Sequence, residues 1–332
     1  MDLLLKSFQD TTVLIVGDVM IDCYLRGKVT GISPEAPVPV VRMQQRENRL
    51  GGAANVAANI KALGANPILC SVIGNDSKKE ILVQELAKQE IQQHLLIEEA
   101  NRRTTVKYRI ISNQIQMLRV DDEDIAPITT QNEYLLFNGI RQIIDRQKVD
   151  ALIFVDYDKG VLSPSLIGKI VTLCNEHGII TAVDPKKANF HHYEKVTLFK
   201  PNRKEFQEGL GLAGGNLTIE ELHEQMEKFA LRYDIMYMMI TLSEEGVAIY
   251  NRKNNEFTHQ PTYQRSISDV SGAGDTVMSV ATLALKAGVP IETIAQLANL
   301  GGGVVCEHAG VVPLSSEMLK NEFHKRKENH NI

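Results

Sequence analysis

Short runs of apolar and β-branched residues alternate with longer amphipathic stretches along most of this chain, and this alternation constrains its fold more than any other feature. Residues 12–16 and 151–155 are typical of buried strands, and residues 77–89 and 219–232 are typical of amphipathic helices. Strands that follow one another through helices usually pair in parallel. The sequence therefore predicts the α/β fold class, with a mostly parallel sheet covered by helices on both faces.

Two segments interrupt this alternation. Residues 22–47 include the run SPEAPVPV at 33–40, which is too rich in proline for a helix. Residues 100–121 alternate in strand fashion without a helix between their halves. Both segments suit a small antiparallel β sheet that stands off the main domain as a lid. We therefore expect one domain over residues 1–320, which includes the two lid segments, and a charged tail over residues 321–332.

The charge balance argues against two classes of partner. The chain of 332 residues has 36 Lys and Arg against 41 Asp and Glu, a formal net charge of −5. Such a chain favours neither a nucleic acid nor a membrane surface, and no apolar run reaches the length of a membrane span. The four cysteines are far apart and form no CxxC pair, which argues against disulfides and zinc and favours a cytoplasmic location.

The run DVSGAGD at residues 269–275 leads directly into a helix-like stretch. Small residues before a helix leave backbone N–H groups unobstructed, and the helix N-terminus adds partial positive charge, so an anion is favoured there. The carboxylate of Asp275 is suited to remove a proton from a hydroxyl. The N–H groups of Gly272, Ala273 and Gly274 would meanwhile hold the phosphoryl oxygens. The motif alone also fits an ordinary helix start with an aspartate in its first turn.

A second glycine turn, GGAANVA at residues 51–57, precedes another helix-like stretch. The two motifs, in this order, resemble the two signatures of the ribokinase-like (PfkB) carbohydrate kinases, and the resemblance spans residues 10–315. It implies a ribokinase-like fold and transfer of the γ-phosphoryl group of ATP to a sugar hydroxyl. The implied cofactors are ATP and Mg²⁺, with a small sugar phosphate as substrate. A monovalent cation near Asp269 and Ser271 is implied as well.

Five shorter motifs narrow the resemblance. They are GDVMID at 17–22, ISPEAPVPV at 32–40, DYDKG at 156–160, DPK at 184–186 and KPNRKE at 200–205. Together they are similar to kinases that phosphorylate D-glycero-D-manno-heptose 7-phosphate at C1, on the route to ADP-heptose for the lipopolysaccharide core. In some bacteria that kinase is fused to a C-terminal nucleotidyltransferase, for which this chain ends too early, so the stand-alone form is expected.

The resemblance also implies roles for individual residues. Asp275 would be the general base, and the glycine-rich turn before it would be the anion hole. Asn202 and Glu205 would organise Mg²⁺ and the ATP phosphates, with Glu205 acting on the metal through water; the pair also fits a helix N-cap. The other residues implied for the nucleotide are Arg203, Lys204, Thr241, Ser243, Gly246, Asn299 and Gly302. The glycines at 301–303 could equally serve close helix packing.

A further group of residues is implied for the sugar. Those that would contact its hydroxyl groups are Asp22, Gly51, Gly52 and Asn55. A terminal phosphate needs cationic donors. The candidates for that role are Lys186, Arg109, Lys107, Arg119 and Lys159. Lys186 is preferred because it follows a predicted strand, which puts it at the C-terminal edge of the sheet, where ligands bind in such folds.

Two other functions remain open from the sequence. One keeps the kinase chemistry but changes the sugar to fructose, ribose or a hexose phosphate. The other is a non-catalytic regulator that binds a sugar or a nucleotide. Asp275 argues against the regulator, because a pure binding site gains nothing from a carboxylate facing a phosphate. The lid segments also predict a homodimer, since exposed strand edges tend to pair.

Overall fold

The chain forms two β sheets, a large one flanked by helices and a small one that stands off it. In this computed structural model the described residues are 1–92, 95–113, 115–212, 215 and 217–329. Within them the strands are β1 (Thr12–Gly17), β2 (Val19–Ile32), β3 (Pro39–Gly52), β4 (Asn66–Gly74), β5 (Leu95–Glu99), β6 (Val106–Ser112), β7 (Ile115–Asp122), β8 (Ala151–Val155), β9 (Ile180–Asp184), β10 (Leu198–Phe199), β11 (Tyr237–Thr241), β12 (Val247–Asn251) and β13 (Glu256–Gln260). The α-helices in the same part of the chain are α1 (Asp2–Gln9), α2 (Ala53–Ala62), α3 (Ser77–Lys88), α4 (Thr130–Arg146), α5 (Pro164–Glu176), α6 (Arg203–Gly209), α7 (Ile219–Arg232), α8 (Ala273–Lys286), α9 (Ile291–Cys306) and α10 (Ser316–Asn329).

The large sheet is mostly parallel, as predicted. Its strand order is β13-β12-β11-β10-β9-β8-β1-β4-β5, and the neighbours from β11 to β5 pair in parallel. The central strands β1 and β8 are buried along nearly their whole length, which explains their continuous apolar sequences. The pairings of β12 are antiparallel because residues 242–246, between β11 and β12, are too few for a crossover helix.

Helices cover both faces of this sheet, with a hydrophobic core on each face. α2, α8 and α9 pack on one face through buried side chains such as Val56, Val280 and Leu297. α4, α5 and α7 pack on the other face through side chains such as Leu136 and Ile170. The prediction of helices on both faces is therefore confirmed.

The small sheet, termed the lid sheet, is built from the two lid segments. Its strand order is β3-β2-β6-β7, in which β2 pairs antiparallel with β3, and β6 pairs antiparallel with β7. β2 and β6 pair in parallel, which differs from the antiparallel sheet expected from the sequence. The reason is that β6 returns to β2 after a long connection through α2, β4, α3 and β5 rather than through a hairpin.

One face of the lid sheet is charged. Alternate residues of a strand share a face, so Asp22, Tyr24 and Arg26 of β2 point the same way. The register of the neighbouring strands adds Arg49 of β3, opposite Asp22, and Arg109 of β6, opposite Tyr24. We term this the charged face of the lid.

The other face of the lid sheet is apolar. It carries Leu25 of β2, Tyr108 and Ile110 of β6, and Leu118 and Val120 of β7, which lie opposite one another in the register. Leu118 is 56% exposed and Val120 is 45% exposed. Large apolar side chains are thus left uncovered within this single chain.

Residues 321–329, which the sequence assigns to a charged tail, extend helix α10. Leu319 of this helix is buried, and Glu322 accepts a hydrogen bond from Nη2 of Arg265 at 2.7 Å, so α10 packs on the body of the domain. The rest of the expected tail, residues 330–332, lies outside the described residues. Among the helices that the structure describes, none is both long and apolar enough to cross a membrane.

Candidate active site

Polar side chains gather where the central parallel strands end. Asp18 follows β1, Tyr157 follows β8 soon after its last residue, and Asp184 is the last residue of β9. Because the carboxyl ends of parallel strands meet at one edge of a sheet, these residues are brought to the same place. α8 begins at this edge, with Asp275 in its first turn.

Asp275 is held from two sides. Its carboxylate is 3% exposed, and its Oδ2 accepts a hydrogen bond from Nδ2 of Asn55 at 2.8 Å. Its Oδ1 accepts a hydrogen bond from the Tyr157 hydroxyl, also at 2.8 Å. One donor lies on α2 and the other follows β8, so two separate parts of the chain fix the carboxylate that α8 carries.

Burial raises the pKa of Asp275 to about 6, and the hydrogen bonds from Asn55 and Tyr157 limit the rise because they stabilise the ionised carboxylate. Two neighbouring charges act in opposite directions, since Asp184 raises this pKa and Lys200 lowers it. A carboxylate in this state is ionised at neutral pH and still accepts a proton readily. That is the property required of a general base.

The two glycine-containing motifs of the sequence meet at this point, although Asn55 and Asp275 are 220 residues apart in the chain. A second link lies one helical turn further on, where Oδ1 of Asn59 accepts hydrogen bonds from Thr276 Oγ1 at 3.1 Å and from the backbone N–H of Leu314 at 2.9 Å. The fold thus brings together two glycine-containing motifs that are far apart in the sequence.

Gly272 is the N-cap of α8 and has a φ of 80°, in the left-handed region that favours glycine. A Cβ there would lie 2.9 Å from Nδ2 of Asn55. The backbone N–H of Ala273, expected in the anion hole, donates to the carbonyl of Val270 at 3.2 Å. The N–H groups of Gly272 and Gly274 therefore remain the better candidates for binding phosphoryl oxygens.

A chain of charges runs beside this turn. Asp184 Oδ2 accepts from Nζ of Lys200 at 2.8 Å, and its Oδ1 accepts from Nζ of Lys186 at 3.0 Å. Burial opposes ionisation of Asp184, but the two ammonium groups prevail and lower its pKa below the ordinary value. Lys186 also forms an ion pair with Glu205. A Cβ on Gly274 would lie 3.4 Å from Asp184 Oδ2, so this chain of charges adjoins the first turn of α8.

Asn202 and Glu205 form the capping box of α6. Oδ1 of Asn202 accepts from the backbone N–H of Glu205 at 2.9 Å, and Oε2 of Glu205 accepts from the backbone N–H of Asn202 at 2.9 Å. The N-cap interpretation is therefore correct as far as it goes. The other oxygen of Glu205 accepts from Lys186, so both oxygens are engaged within the chain and only their second lone pairs remain for a ligand.

The donor set near Glu205 is compatible with Mg²⁺. Over the described ranges, no three His, Cys, Asp or Glu side chains come close enough together to hold a metal ion by themselves. Mg²⁺ commonly binds through one or two carboxylates, several waters and the phosphates of a substrate. Glu205, with one oxygen on Lys186 at the edge of the site, fits that mode of binding.

Several residues expected at the nucleotide lie around one surface cavity of about 630 Å³. The expected residues that line it are Asn202, Arg203, Lys204, Thr241 and Ser243. Arg203 forms a bidentate pair with Glu245, with N–O distances of 2.6 and 2.7 Å, which holds α6 against the loop after β11. Gly246, with a φ of 98°, is the last residue of this loop and leads into β12, which pairs with β11.

Asn299 and Gly302 both lie in α9. Nδ2 of Asn299 donates to the carbonyl of Pro261 at 2.8 Å, and its Oδ1 accepts from Oγ1 of Thr262 at 3.1 Å. A Cβ on Gly302 would lie 2.7 Å from Cγ2 of Val277, so this glycine allows α8 and α9 to approach closely. Their contribution to an adenine pocket stays a prediction.

The residues expected at the sugar form a second group. A Cβ on Gly51 would lie 2.5 Å from Oδ2 of Asp22, and Asp22 forms an ion pair with Arg109. Gly52 has a φ of 56° and connects β3 to α2, on which Asn55 lies. Burial raises the pKa of Asp22, and Arg109 opposes that rise.

The other candidates for a distal phosphate are engaged by carboxylates. Lys186 contacts Asp184 and Glu205, as described above. Lys107 lies 3.2 Å from Asp121, and Lys159 lies 2.5 Å from Glu123. Arg119 pairs with Asp121 at 2.9 Å.

Near the expected monovalent cation site, Asp269 accepts hydrogen bonds from backbone N–H groups. Its Oδ1 accepts from Ser271 at 2.9 Å, and its Oδ2 accepts from Gly310 at 3.1 Å. The monovalent cation stays a prediction.

Tyr157, Lys200 and Asp18 contribute to the site without having been given a role from the sequence. Asp18 organises the segment that carries Tyr157, because its carboxylate accepts from the backbone N–H groups of Tyr157 at 2.8 Å, Lys159 at 3.1 Å and Val161 at 3.2 Å. All three residues lie within motifs that the sequence highlights, which is the signal that could have found them.

The class of protein to which this chain belongs follows from its similarity to known proteins. The sequence model of the pfkB family carbohydrate kinases matches residues 10–317, so the chain belongs to this family. It is a phosphotransferase that uses a sugar hydroxyl as acceptor.

Within the family, the chain is 36% identical over 315 residues to a protein named Bifunctional protein HldE in Syntrophotalea carbinolica, covering 95% of this chain and 63% of that protein. A protein of the same name in Geobacter sulfurreducens is 37% identical over 302 residues, covering 91% of this chain and 61% of the relative. The chain thus spans less than two thirds of the length of these relatives.

Solved structures agree on the fold. Phosphofructokinase-2 from Escherichia coli, in complex with substrates and products, superposes with a TM-score of 0.77 at 16% identity, covering 95% of this chain and 99% of that one. A ribokinase from Arabidopsis thaliana complexed with ribose and ATP gives 0.73 at 13% identity, covering 94% and 98%. The ribokinase-like fold expected from the sequence is therefore confirmed.

Proposed function

We propose that this chain transfers the γ-phosphoryl group of ATP to the C1 hydroxyl of D-glycero-D-manno-heptose 7-phosphate. The product would be the 1,7-bisphosphate, a precursor of ADP-heptose for the lipopolysaccharide core. The similarity to proteins named HldE supports this choice of sugar, together with the five short motifs that resemble heptose phosphate kinases.

The observation that carries the proposal is the environment of Asp275. Its carboxylate lies at the N-terminus of α8, and each of its oxygens accepts a hydrogen bond that stabilises the ionised form. In the proposed reaction it accepts the proton of the C1 hydroxyl as that oxygen attacks the γ-phosphorus, whose bond to the bridging oxygen breaks so that ADP leaves. The N–H groups of Gly272 and Gly274 stabilise the phosphoryl oxygens as charge develops on them.

The proposed cofactors are ATP and Mg²⁺. Glu205 would hold the metal through water, and the metal would neutralise charge on the phosphates. Lys186 and Lys200, both paired with Asp184, would place ammonium groups beside the anion hole. Asn202, Thr241 and the other residues around the nearby cavity would bind the nucleotide. The four cysteines are free and buried, which supports a cytoplasmic location.

The decisive experiment measures ADP release with ATP and Mg²⁺ across a panel of sugars. The panel sets D-glycero-D-manno-heptose 7-phosphate against sedoheptulose 7-phosphate, fructose, fructose 6-phosphate and ribose. We expect a strong preference for the heptose phosphate. We expect Asp275→Asn to keep ATP binding and to lose turnover by about a thousandfold or more.

Each alternative gives a different result in this panel. Turnover of fructose or ribose instead of the heptose phosphate would keep the kinase chemistry and replace the substrate. Near-normal turnover by Asp275→Asn would refute the assignment of the base. Absence of turnover on every sugar would refute the proposed reaction.

We also propose a homodimer that buries the apolar face of the lid. Leu118 and Val120 are about half exposed on that face, and a second copy of the lid sheet would cover them. Light scattering at micromolar protein should give twice the mass of the chain, and Leu118→Glu should shift the protein towards the monomer. Leu231→Glu, at a 70% exposed position on α7, is the matched control and should leave the mass unchanged. A monomeric wild-type protein would refute this proposal.

A further inference from the structure

Three arginine side chains on the charged face of the lid surround one buried tyrosine ring. The guanidinium carbons of Arg26, Arg49 and Arg109 lie 5.7, 5.3 and 5.4 Å from the centroid of the Tyr24 ring. The ring is 1% exposed and therefore fixed in position, and cations are attracted to aromatic rings at such distances. The three side chains, termed the arginine cluster, come from β2, β3 and β6, so the lid sheet itself sets their spacing.

The carboxylates that the structure describes near the cluster leave one of its arginines without a partner. Arg109 pairs with Asp22, and Nε of Arg49 lies 2.7 Å from Oε1 of Glu47. Arg26, by contrast, forms no ion pair within the part of the chain that the structure describes, and its cation–π contact is with Tyr24. Asp269 also lies near enough to Arg109 to raise the pKa of that guanidinium, so Arg26 is the member of the cluster that lacks a carboxylate partner among the described residues. A guanidinium group without a carboxylate partner favours an anion, and the planar fork of arginine matches the oxygens of a phosphate group.

The arginine cluster borders the catalytic turn through residues 309–311. Nη1 of Arg49 donates to the carbonyl oxygens of Ala309 and Val311, each at 2.9 Å, and the N–H of Val311 donates to the Tyr24 hydroxyl at 3.1 Å. Val311 in turn packs on Gly272, where a Cβ would lie 3.1 Å from Val311 Cγ1. One layer of chain therefore separates the cluster from the turn that carries the base.

Asp22 connects the cluster to the sugar side of the site. It pairs with Arg109 of the cluster and lies against Gly51, in the same glycine turn that leads to Asn55. Asn55 is one of the two residues that donate a hydrogen bond to Asp275. A ligand that reaches from Asp275 past Asn55 to Asp22 would have its far end beside the arginine cluster.

We infer that the arginine cluster binds the phosphate group of a sugar phosphate whose reacting hydroxyl lies at Asp275. The inference rests on the proposed function and adds to it the residues that select a phosphorylated sugar over a neutral one. Of the sequence candidates for this phosphate, Arg109 belongs to the cluster, whereas Lys186 contacts Glu205 on the nucleotide side.

Arg26→Ala is the most direct test, because this arginine is not needed to balance a carboxylate among the described residues. Steady-state kinetics would be measured with D-glycero-D-manno-heptose 7-phosphate and, as a second probe, with the unphosphorylated heptose. We expect the KM for the heptose phosphate to rise about tenfold, as for the loss of one charge-assisted contact to phosphate. The kcat, the KM for ATP and the constants for unphosphorylated heptose should each change by less than about twofold.

Two further variants make the result specific. Arg26→Lys keeps the charge but loses the planar fork, so we expect it to recover part of the lost affinity. Arg141→Ala removes an equal charge from the surface of α4, where the side chain is 59% exposed, and should leave all of these constants unchanged.

The outcomes separate this inference from the proposed function. If the wild-type protein phosphorylates the heptose phosphate and Arg26→Ala does so with the same KM, the phosphate site is refuted and the function stands. An equal loss for the phosphorylated and unphosphorylated heptose would also refute the site, because it would indicate a structural effect. If the wild-type protein accepts only sugars without a phosphate, both the function and the site are refuted.

Discussion

The hydroxyl of Tyr157 is one of two donors to the carboxylate of Asp275, and its removal should move the pH dependence of the reaction. Tyr157→Phe deletes this donor and keeps the ring in place. A hydrogen bond to a charged group contributes about 1.5–3 kcal/mol, and about 1.4 kcal/mol corresponds to one pKa unit. Because Asn55 and Lys200 still stabilise the carboxylate, we use the lower end of that range. The pKa of Asp275 should then rise from about 6 to about 7.

The assay is the dependence of kcat/KM on pH between pH 5 and pH 9, which reports the ionisation of the free enzyme. The base acts only when ionised, so activity rises as the pH increases through its pKa. At pH 6 the wild-type protein would have half of its base ionised and the variant about one tenth, which predicts about fivefold lower activity for the variant. At about pH 8.5 the base is ionised in both proteins, and their activities should agree within about twofold.

The matched control is Tyr250→Phe. This tyrosine is also buried, but its hydroxyl donates to Oδ1 of Asn255 at 3.0 Å in the β12–β13 hairpin. The control should keep the wild-type pH profile. An acidic limb that Tyr157→Phe leaves unmoved, or a loss of activity that is equal at every pH, would refute this account of Asp275.

Three further predictions concern the same edge of the sheet. Asp18→Asn puts an amide group where a carboxylate accepts three backbone N–H groups of segment 157–161, so we expect about 2–4 kcal/mol lower stability in denaturant unfolding together with lower turnover. Burial raises the folded-state pKa of Asp275 above its unfolded value, so its ionisation lowers the stability progressively between about pH 4 and about pH 6, by a constant amount above that range, and not below it. Asp275→Asn should therefore raise Tm relative to wild type by more at pH 8 than at pH 4, and an equal change at both would contradict this reasoning. Gly272→Ala needs a φ of 80° and puts a Cβ 2.9 Å from Asn55, so a loss of about 1–3 kcal/mol is expected by calorimetry, and unchanged stability would contradict it.

The helices and strands that could be predicted from the sequence are those whose signal lies within their own residues. Residues 151–155 coincide with β8 and residues 219–232 with α7. β8 is an uninterrupted apolar run, and α7 has an amphipathic period that follows a capping box at Thr218. The hairpin of β12 and β13 lacks such a signal, because β13 is short and only half buried. The parallel pairing of β2 with β6 depends on the route of the chain between them, which no local pattern contains.

In the candidate site, too, local features could be predicted and contacts between distant parts of the chain could not. Gly272 and Asp275 could be predicted because the turn, the helix start and the carboxylate are contained in one short motif. The contact between Tyr157 and Asp275 could not, since the two residues are 118 positions apart and meet only because β8 ends where α8 begins. The functional roles of all these residues stay predictions until the variants are measured.

The junction between the lid and the domain has a consequence for the fate of ATP. β3 of the lid sheet passes directly into α2 at Gly52, and Asn55, in the first turn of α2, donates a hydrogen bond to the carboxylate of Asp275. We therefore expect any movement of the lid about Gly52 to displace Asn55 and, with it, the hydrogen bond to Asp275. We expect the base to be aligned only while the lid rests on the body through Tyr24 and Val311. Such a coupling would protect the nucleotide, because a molecule with an open lid that held ATP but no sugar would have a misaligned base and would not transfer the phosphoryl group to water.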